Sequence, residues 1–160
     1  MEGANFLTEE FEECKLYLED MNEVFPLLGK FDEHISLVEE SFAVRIIPRG
    51  DELSFQGKKE DVQKVHTLFQ ELLAVIRGGH FLTTPEFIYA LKLAKGGQGR
   101  EIETLFNDLV HITDRGKKIR PKTLGQKRYV EALRAFDIVF GIGPAGTGKT
   151  YLAMAKAVQA

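Results

Sequence analysis

The sequence predicts an α/β chain in two parts: an α+β unit, then the opening strand–loop–helix unit of a parallel-sheet domain. Two observations carry this. Between Cys14 and Gly79 the apolar spacing switches between periods of 2 and 3.6, in the order strand, helix, helix, strand, strand, helix. Near the end, a run of β-branched and aromatic residues from Ile138 to Ile142 enters a glycine-rich loop and is followed by strong helix formers. The expected organisation is a first domain over 1–80, ordered from about residue 14, a helical and hairpin connector over 81–122, and the beginning of a second domain over 123–160.

Each element has its own signal. "CKLYLE" alternates, which sets Leu16 and Leu18 on one face of a strand. "DMNEVFPLLG" reads as a short helix with Asp20 or Asn22 as N-cap and Gly29 as terminator. In "DEHISLVEESF", Ile35, Val38 and Phe42 recur at helical spacing and Asp32 is a candidate cap. "AVRIIP" and "LSFQG" are strands joined by the turn "RGDE", with Leu53 and Phe55 inward. The longest helix follows, with an apolar stripe of Val62, Val65, Phe69, Leu72, Leu73 and Ile76, and ends at Gly78-Gly79.

In the connector, Thr84-Pro85-Glu86 starts a short helix whose face is Phe87, Leu91 and Ala94. "KGGQGR" reads as a loop, and "LVHITDRGKKIRP" as a hairpin turning around Asp114 to Gly116. Arg115, Lys117, Lys118, Arg120 and Lys122 put five positive charges into eight residues, either a solvated hairpin tip or a phosphate contact.

Composition narrows the function classes. A net charge of −3 argues against a wholly basic nucleic-acid binder, while leaving room for a local basic patch. One cysteine, Cys14, excludes an internal disulfide and fits a reducing cytoplasm. Its strand position reads as packing. No stretch is apolar and long enough to span a bilayer, and the acidic N-terminus "MEGANFLTEEFEEC" is unlike a signal peptide. The four histidines, His34, His66, His80 and His111, lack metal-ligand spacing, and His66 reads as half-buried.

The chemistry concentrates at Gly143-Pro144-Ala145-Gly146-Thr147-Gly148-Lys149-Thr150, which satisfies GxxxxGK[ST] with a strand pattern before it and a helix pattern after it. Glycines let consecutive backbone N–H groups face a phosphate, and the helix N-terminus adds partial positive charge. Lys149 reaches the β- and γ-phosphates, and Thr150 offers its hydroxyl to Mg²⁺. In the following helix Leu152, Ala155 and Ala157 are candidates to pack on a sheet. Gln126 lies 17 residues before Gly143 at the head of a helix carrying Tyr129, Val130 and Leu133. Its amide can pair with N6 and N7 of adenine, and this placement resembles the Q motif of superfamily 1 helicases. The alternative for Gln126 is a polar surface helix start.

The first unit's element order resembles the KH fold, in which a GXXG loop between the first two helices clamps single-stranded nucleic acid. The corresponding residues are Gly29, Lys30, Phe31 and Asp32. Aspartate replaces the second glycine, and its charge would repel phosphate. Lys30 as phosphate contact and Phe31 as stacking ring define one reading; a docking module with Phe31 packed defines the other.

Taken together, "LLGKFDEHISLVEESFAVRIIPRGDELSFQGKKEDV" and "RGKKIRPKTLGQKRYVEALRAFDIVFGIGPAGTGKTYLAMAKAVQA" resemble the PhoH-like family, which joins a KH-like region to a RecA/helicase-like P-loop ATPase domain. The resemblance implies ATP with Mg²⁺ as cofactors, RNA-related work with possible unwinding, a homo-oligomer and a cytoplasmic location. It places Gly143 to Thr150 and the adjoining Tyr151 on the nucleotide, with Lys149 and Thr150 as catalytic candidates and Gln126 on the base. Single-stranded RNA is the implied partner of Lys30, Phe31 and the Arg115 to Lys122 cluster. Only ten residues follow Thr150, too few for another strand and the Walker B carboxylate. The expectation is therefore a fragment that grips the triphosphate without hydrolysing it alone. The alternative function is a non-catalytic KH-like module that binds RNA or a protein.

Overall fold

The computed structural model describes residues 11–159, and the acidic N-terminal segment before Phe11 lies outside them. The chain is a mixed α/β protein. It divides into two compact units, 1–100 and 101–160.

In the first unit a three-stranded antiparallel sheet has the order β1 (Phe11–Tyr17), β3 (Glu52–Lys58), β2 (Val44–Arg49). Cys14 pairs with Phe55 across β1 and β3, and Ile46 pairs with the same Phe55 across β2 and β3. Pro48 is tolerated because β2 is an edge strand, where a missing N–H removes no ladder bond on the open side. Gly50, at φ 63°, makes the tight β2–β3 turn.

Helix α3 (Lys59–Arg77) covers the sheet with Val62, Val65, Phe69 and Leu72 fully buried, and Phe69 meets Phe55 at a ring separation of 5.2 Å. Leu68 and Val75 are buried as well, whereas Ile76, expected in the stripe, is only half-buried. Leu68 and Val75 are covered because α3 packs on the sheet, on α1 (Val24–Leu28) and on α4 (Thr84–Lys95), so its buried arc is wider than a single stripe. The Thr84 helix belongs with this unit. Its Phe87 stacks on His34 of α2 (Glu33–Ser41) at 3.8 Å and an interplanar angle of 4°. His34 anchors the other side by an Nδ1 hydrogen bond to the Leu27 carbonyl at 2.9 Å.

The expected caps divide. Asp20 caps its turn, accepting from the Asn22 N–H at 2.9 Å. Asp32 does not cap α2: it lies in the left-handed region at φ 57°, and its side chain makes no cap bond. Instead α4 has a full capping box, in which Glu86 accepts from the Thr83 N–H at 2.9 Å and from its hydroxyl at 2.7 Å.

The second unit begins with α5 (Ile102–Phe106) and the expected hairpin, β4 (His111–Ile112) with β5 (Lys118–Ile119), which closes at Gly116 with φ 75°. Helices α6 (Leu124–Ala135) and α7 (Lys149–Gln159) pack together, and Val110, Ile119, Val130, Leu152 and Ala155 form their shared core. Two expectations fail here. Residues 138–142 pair with no strand among the described residues, and Ile138, Phe140 and Ile142 are 76%, 86% and 96% exposed. A buried parallel strand needs ladder partners on both sides, and none of the described residues supplies one. Ala157, expected to pack on a sheet, is exposed for the same reason; α7 packs on α6 and the hairpin instead.

Candidate nucleotide-binding site

The loop of Gly143 to Thr150 leaves the exposed segment at 138–142 and feeds into the first turn of α7. Gly146 and Gly148 hold φ values of 77° and 81°, which L side chains rarely adopt. At Gly148 space is short as well, since a Cβ would lie 3.2 Å from Nε2 of Gln126. Lys149 folds back over the loop. Its ammonium donates to the Gly143 carbonyl at 3.0 Å, the Pro144 carbonyl at 2.6 Å and the Thr147 hydroxyl at 2.9 Å. That is all three donors of a lysine spent on loop oxygens. The Thr147 hydroxyl in turn donates to the Pro144 carbonyl at 3.1 Å.

Gln126 comes to this loop from α6. Thr123 caps the helix by accepting from the Gln126 N–H at 3.2 Å, so "TLGQ" carries the T-x-x-Q pattern of a helix start. The Gln126 side chain does not complete the box. Its Oε1 accepts from the Lys122 N–H at 2.6 Å and its Nε2 donates to the Thr147 carbonyl at 3.1 Å.

These groups line a cavity of about 400 Å³ that also takes in Tyr129, Phe140, Gly141 and Leu152. Reading the sequence did not single out Tyr129 or Phe140 for this site. The available signal was Gly141: a Cβ there would lie 3.1 Å from the Tyr129 ring, so the glycine admits the aromatic wall. Of the other expected residues, Thr150 and Tyr151 are exposed at the start of α7, and Pro144 and Ala145 are exposed in the loop. The exposed Thr150 hydroxyl is of the type that could serve as one oxygen ligand to a hard cation.

The expected RNA residues fall in two places. Gly29, Phe31 and Asp32 have φ values of 76°, 52° and 57°. Two successive non-glycine residues in that region cost on the order of 1–2 kcal/mol each. The Phe31 ring is fully exposed and Lys30 is exposed beside it. A cavity of about 390 Å³ lies next to this loop, lined in part by Phe25, Lys30, His34 and Phe81. In the second unit Arg115, Lys117, Lys118 and Lys122 are exposed around the hairpin, and Arg120 is half-buried. Among the described residues no group of three His, Cys, Asp or Glu side chains is placed to hold a metal ion.

The profile of PhoH-like proteins matches residues 118–160, which contain Gln126 and the loop. A PhoH-like protein of Bacillus subtilis is 40% identical over 96% of this chain and 48% of its own length. One from Mycobacterium leprae is 46% identical over 86% of this chain and 39% of its own. The chain belongs to the PhoH-like family. A more distant member of this PhoH-like group, from Synechocystis, is 32% identical over 84% of the chain and 41% of its own length. The chain thus spans about half or less of the length of the curated relatives it matches. No solved structure matches it. No helix among the described residues is long and apolar enough to cross a membrane.

Proposed function

We propose that this PhoH-like chain binds ATP with Mg²⁺ at Gly143 to Thr150, as the nucleotide-holding part of an ATPase linked to RNA metabolism. The observation that carries the reading is Lys149. Its ammonium already gathers three oxygens at the mouth of a loop with two left-handed glycines and a helix N-terminus behind it. Phosphate oxygens are the natural replacements for those carbonyl and hydroxyl partners, because a charge-assisted bond is stronger than a neutral one. Gly143, Pro144, Ala145, Gly146, Thr147 and Gly148 would supply backbone N–H groups. Thr150 would supply an oxygen to Mg²⁺, Tyr151 would lie beside the phosphates, and Gln126 would face the base. The ion, when bound, neutralises charge on the triphosphate.

Single-stranded RNA is the proposed polymer partner, engaged by Lys30, Phe31 and the Arg115 to Lys122 cluster, in a cytoplasmic homo-oligomer of the longer protein. The test is ATP hydrolysis by a longer PhoH-like protein containing this chain, with and without single-stranded RNA. RNA stimulation, lost when the hairpin lysines are replaced by alanine, supports the reading; hydrolysis indifferent to RNA removes the RNA half of it.

One observation favours a second reading for the first unit, as a docking module without nucleic acid. Asp32 presents a carboxylate where close approach to phosphate needs a glycine, although the Phe31 ring, expected to be packed under this reading, is fully exposed. Under that reading the unit keeps its fold and binds no RNA at low salt.

A further inference from the structure

The cavity of about 390 Å³ in the first unit is lined by the buried His34, whose ring is fixed on two sides. Nδ1 donates to the Leu27 carbonyl, which leaves Nε2 of the neutral imidazole as an acceptor. Phe87 covers one face of the ring at 3.8 Å. Nε2 itself is buried and has no hydrogen-bond partner among the described residues. A buried acceptor in that state costs free energy until a donor reaches it. Gly29 lines the cavity beside His34, and a Cβ on Gly29 would lie 3.1 Å from Cγ and Cδ2, the ring edge that adjoins Nε2. Its φ of 76° favours glycine as well, so no side chain from this position fills the space along that edge.

The remaining wall suits a flat ring that carries an anion. Phe25 and Phe81 line the cavity and are 58% and 73% exposed, and Lys30 and Glu33 stand at the same opening. We infer that this cavity is a pocket for one unpaired nucleobase of a single-stranded RNA. A base N–H donates to Nε2 of His34, the base plane packs on Phe25 and Phe81, and the attached phosphate meets Lys30. This rests on the RNA reading of the first unit and adds the place where a base is held. An aliphatic occupant would leave Nε2 unpaired, and a bare phosphate would set an acceptor against it. Glu33 repels phosphate from its side and accepts from a second base N–H. Phe81 belongs to the segment that leads into α4, so the pocket needs α4 as well as the loop at Gly29 to Asp32.

The test is binding of a short single-stranded RNA, and of an abasic ribose-phosphate polymer of the same length, to the 160-residue chain. The ring nitrogens of His34 are followed by NMR in the same titrations. RNA should bind about tenfold or more tightly than the abasic polymer, and only RNA should shift the Nε2 resonance. Phe81→Ala, at an exposed position, should keep the fold, weaken RNA about tenfold and leave the abasic polymer unchanged. His34→Phe keeps a ring against Phe87 and removes the acceptor, so it should weaken RNA in the same way; if it fails to fold, Phe81→Ala and the Nε2 resonance decide. If the two polymers bind alike, or if RNA is preferred while Nε2 or the Phe81→Ala variant shows no response, the pocket is wrong and RNA contact through charge or Phe31 stands. If the parent binds neither polymer, the pocket and the RNA reading fall together and the docking module remains.

Discussion

Gly57 lies so close to Ala43 that a Cβ built on it would sit 2.3 Å from the Ala43 carbonyl oxygen. The obstacle is backbone, and it occurs where β3 faces the start of β2, with Gly57 paired to Val44. Gly57→Ala should therefore destabilise the first unit by about 2 kcal/mol or more, through displacement of the strand. Gly50→Ala meets no neighbour within 4 Å and suffers only from its φ of 63°. Denaturant unfolding of the two variants should rank Gly57→Ala as the more damaging; equal midpoints would contradict the close-approach argument.

Arg77, the last residue of α3, grips Glu23 with Nε at 2.7 Å and Nη2 at 3.1 Å. Glu23 is buried, and the Arg77 hydrogen bonds hold its carboxyl below the usual range against the opposing effect of burial. The Arg77 side chain is partly open to solvent, so screening reduces the pair's worth. Arg77→Ala should cost about 1 kcal/mol, and Arg77→Lys should recover little, because lysine cannot make the bidentate contact. Thermal unfolding of the two variants measures this.

Acid should weaken the start of α4. Burial alone would raise the Glu86 carboxyl, but the His80 imidazole 3.3 Å away and the hydrogen bonds from Thr83 outweigh it and hold it at about 2. A carboxylate depressed on folding adds stability above its unfolded value, near 4.5, and loses it as pH falls toward 2. Stability of the wild-type chain should thus decline between about pH 4.5 and pH 2. Glu86→Gln should flatten part of that slope while costing stability at pH 7. An identical slope in both proteins would show that the capping box does not titrate with folding.

Hydrogen exchange should divide the chain sharply. Amides of β3, paired on both sides and covered by α3, should be the slowest. Residues 138–142, with no strand pairing and with Ile138, Phe140 and Ile142 exposed, should exchange close to the rate of an unstructured peptide. Protection through 138–142 in a monomeric sample would contradict the exposed arrangement.

What could be read in advance was local. The alternation at Leu16 and Leu18, the spacing of Ile35, Val38 and Phe42, and the stripe on α3 follow from each element's own periodicity. The turn at Gly143 to Thr150 was legible as a loop entering a helix, because its glycines supply the positive φ at Gly146 and Gly148 and α7 starts at Lys149. The failures came from partners that lie elsewhere. Ile138 to Ile142 carry strand-forming side chains, yet a strand exists only with a neighbour to complete its ladder. Phe31 has no intrinsic preference for positive φ and Asp32 only tolerates it, so the conformation between α1 and α2 could not be read from either residue. At Gln126 the "TLGQ" pattern announced a helix start and hid the tie to Thr147, which depends on a loop 21 residues further on.

The central claim is that Lys149 holds a triphosphate, and nucleotide titration of the parent chain beside Lys149→Ala tests it most directly. The ammonium touches only oxygens of its own loop, so the variant should unfold at the parent's temperature. It should lose one charge-assisted contact of about 1.5–3 kcal/mol to the phosphates, a ten- to hundredfold weaker affinity for Mg·ATP. Equal Mg·ATP affinity in two equally folded proteins, or no binding by the parent, would contradict it.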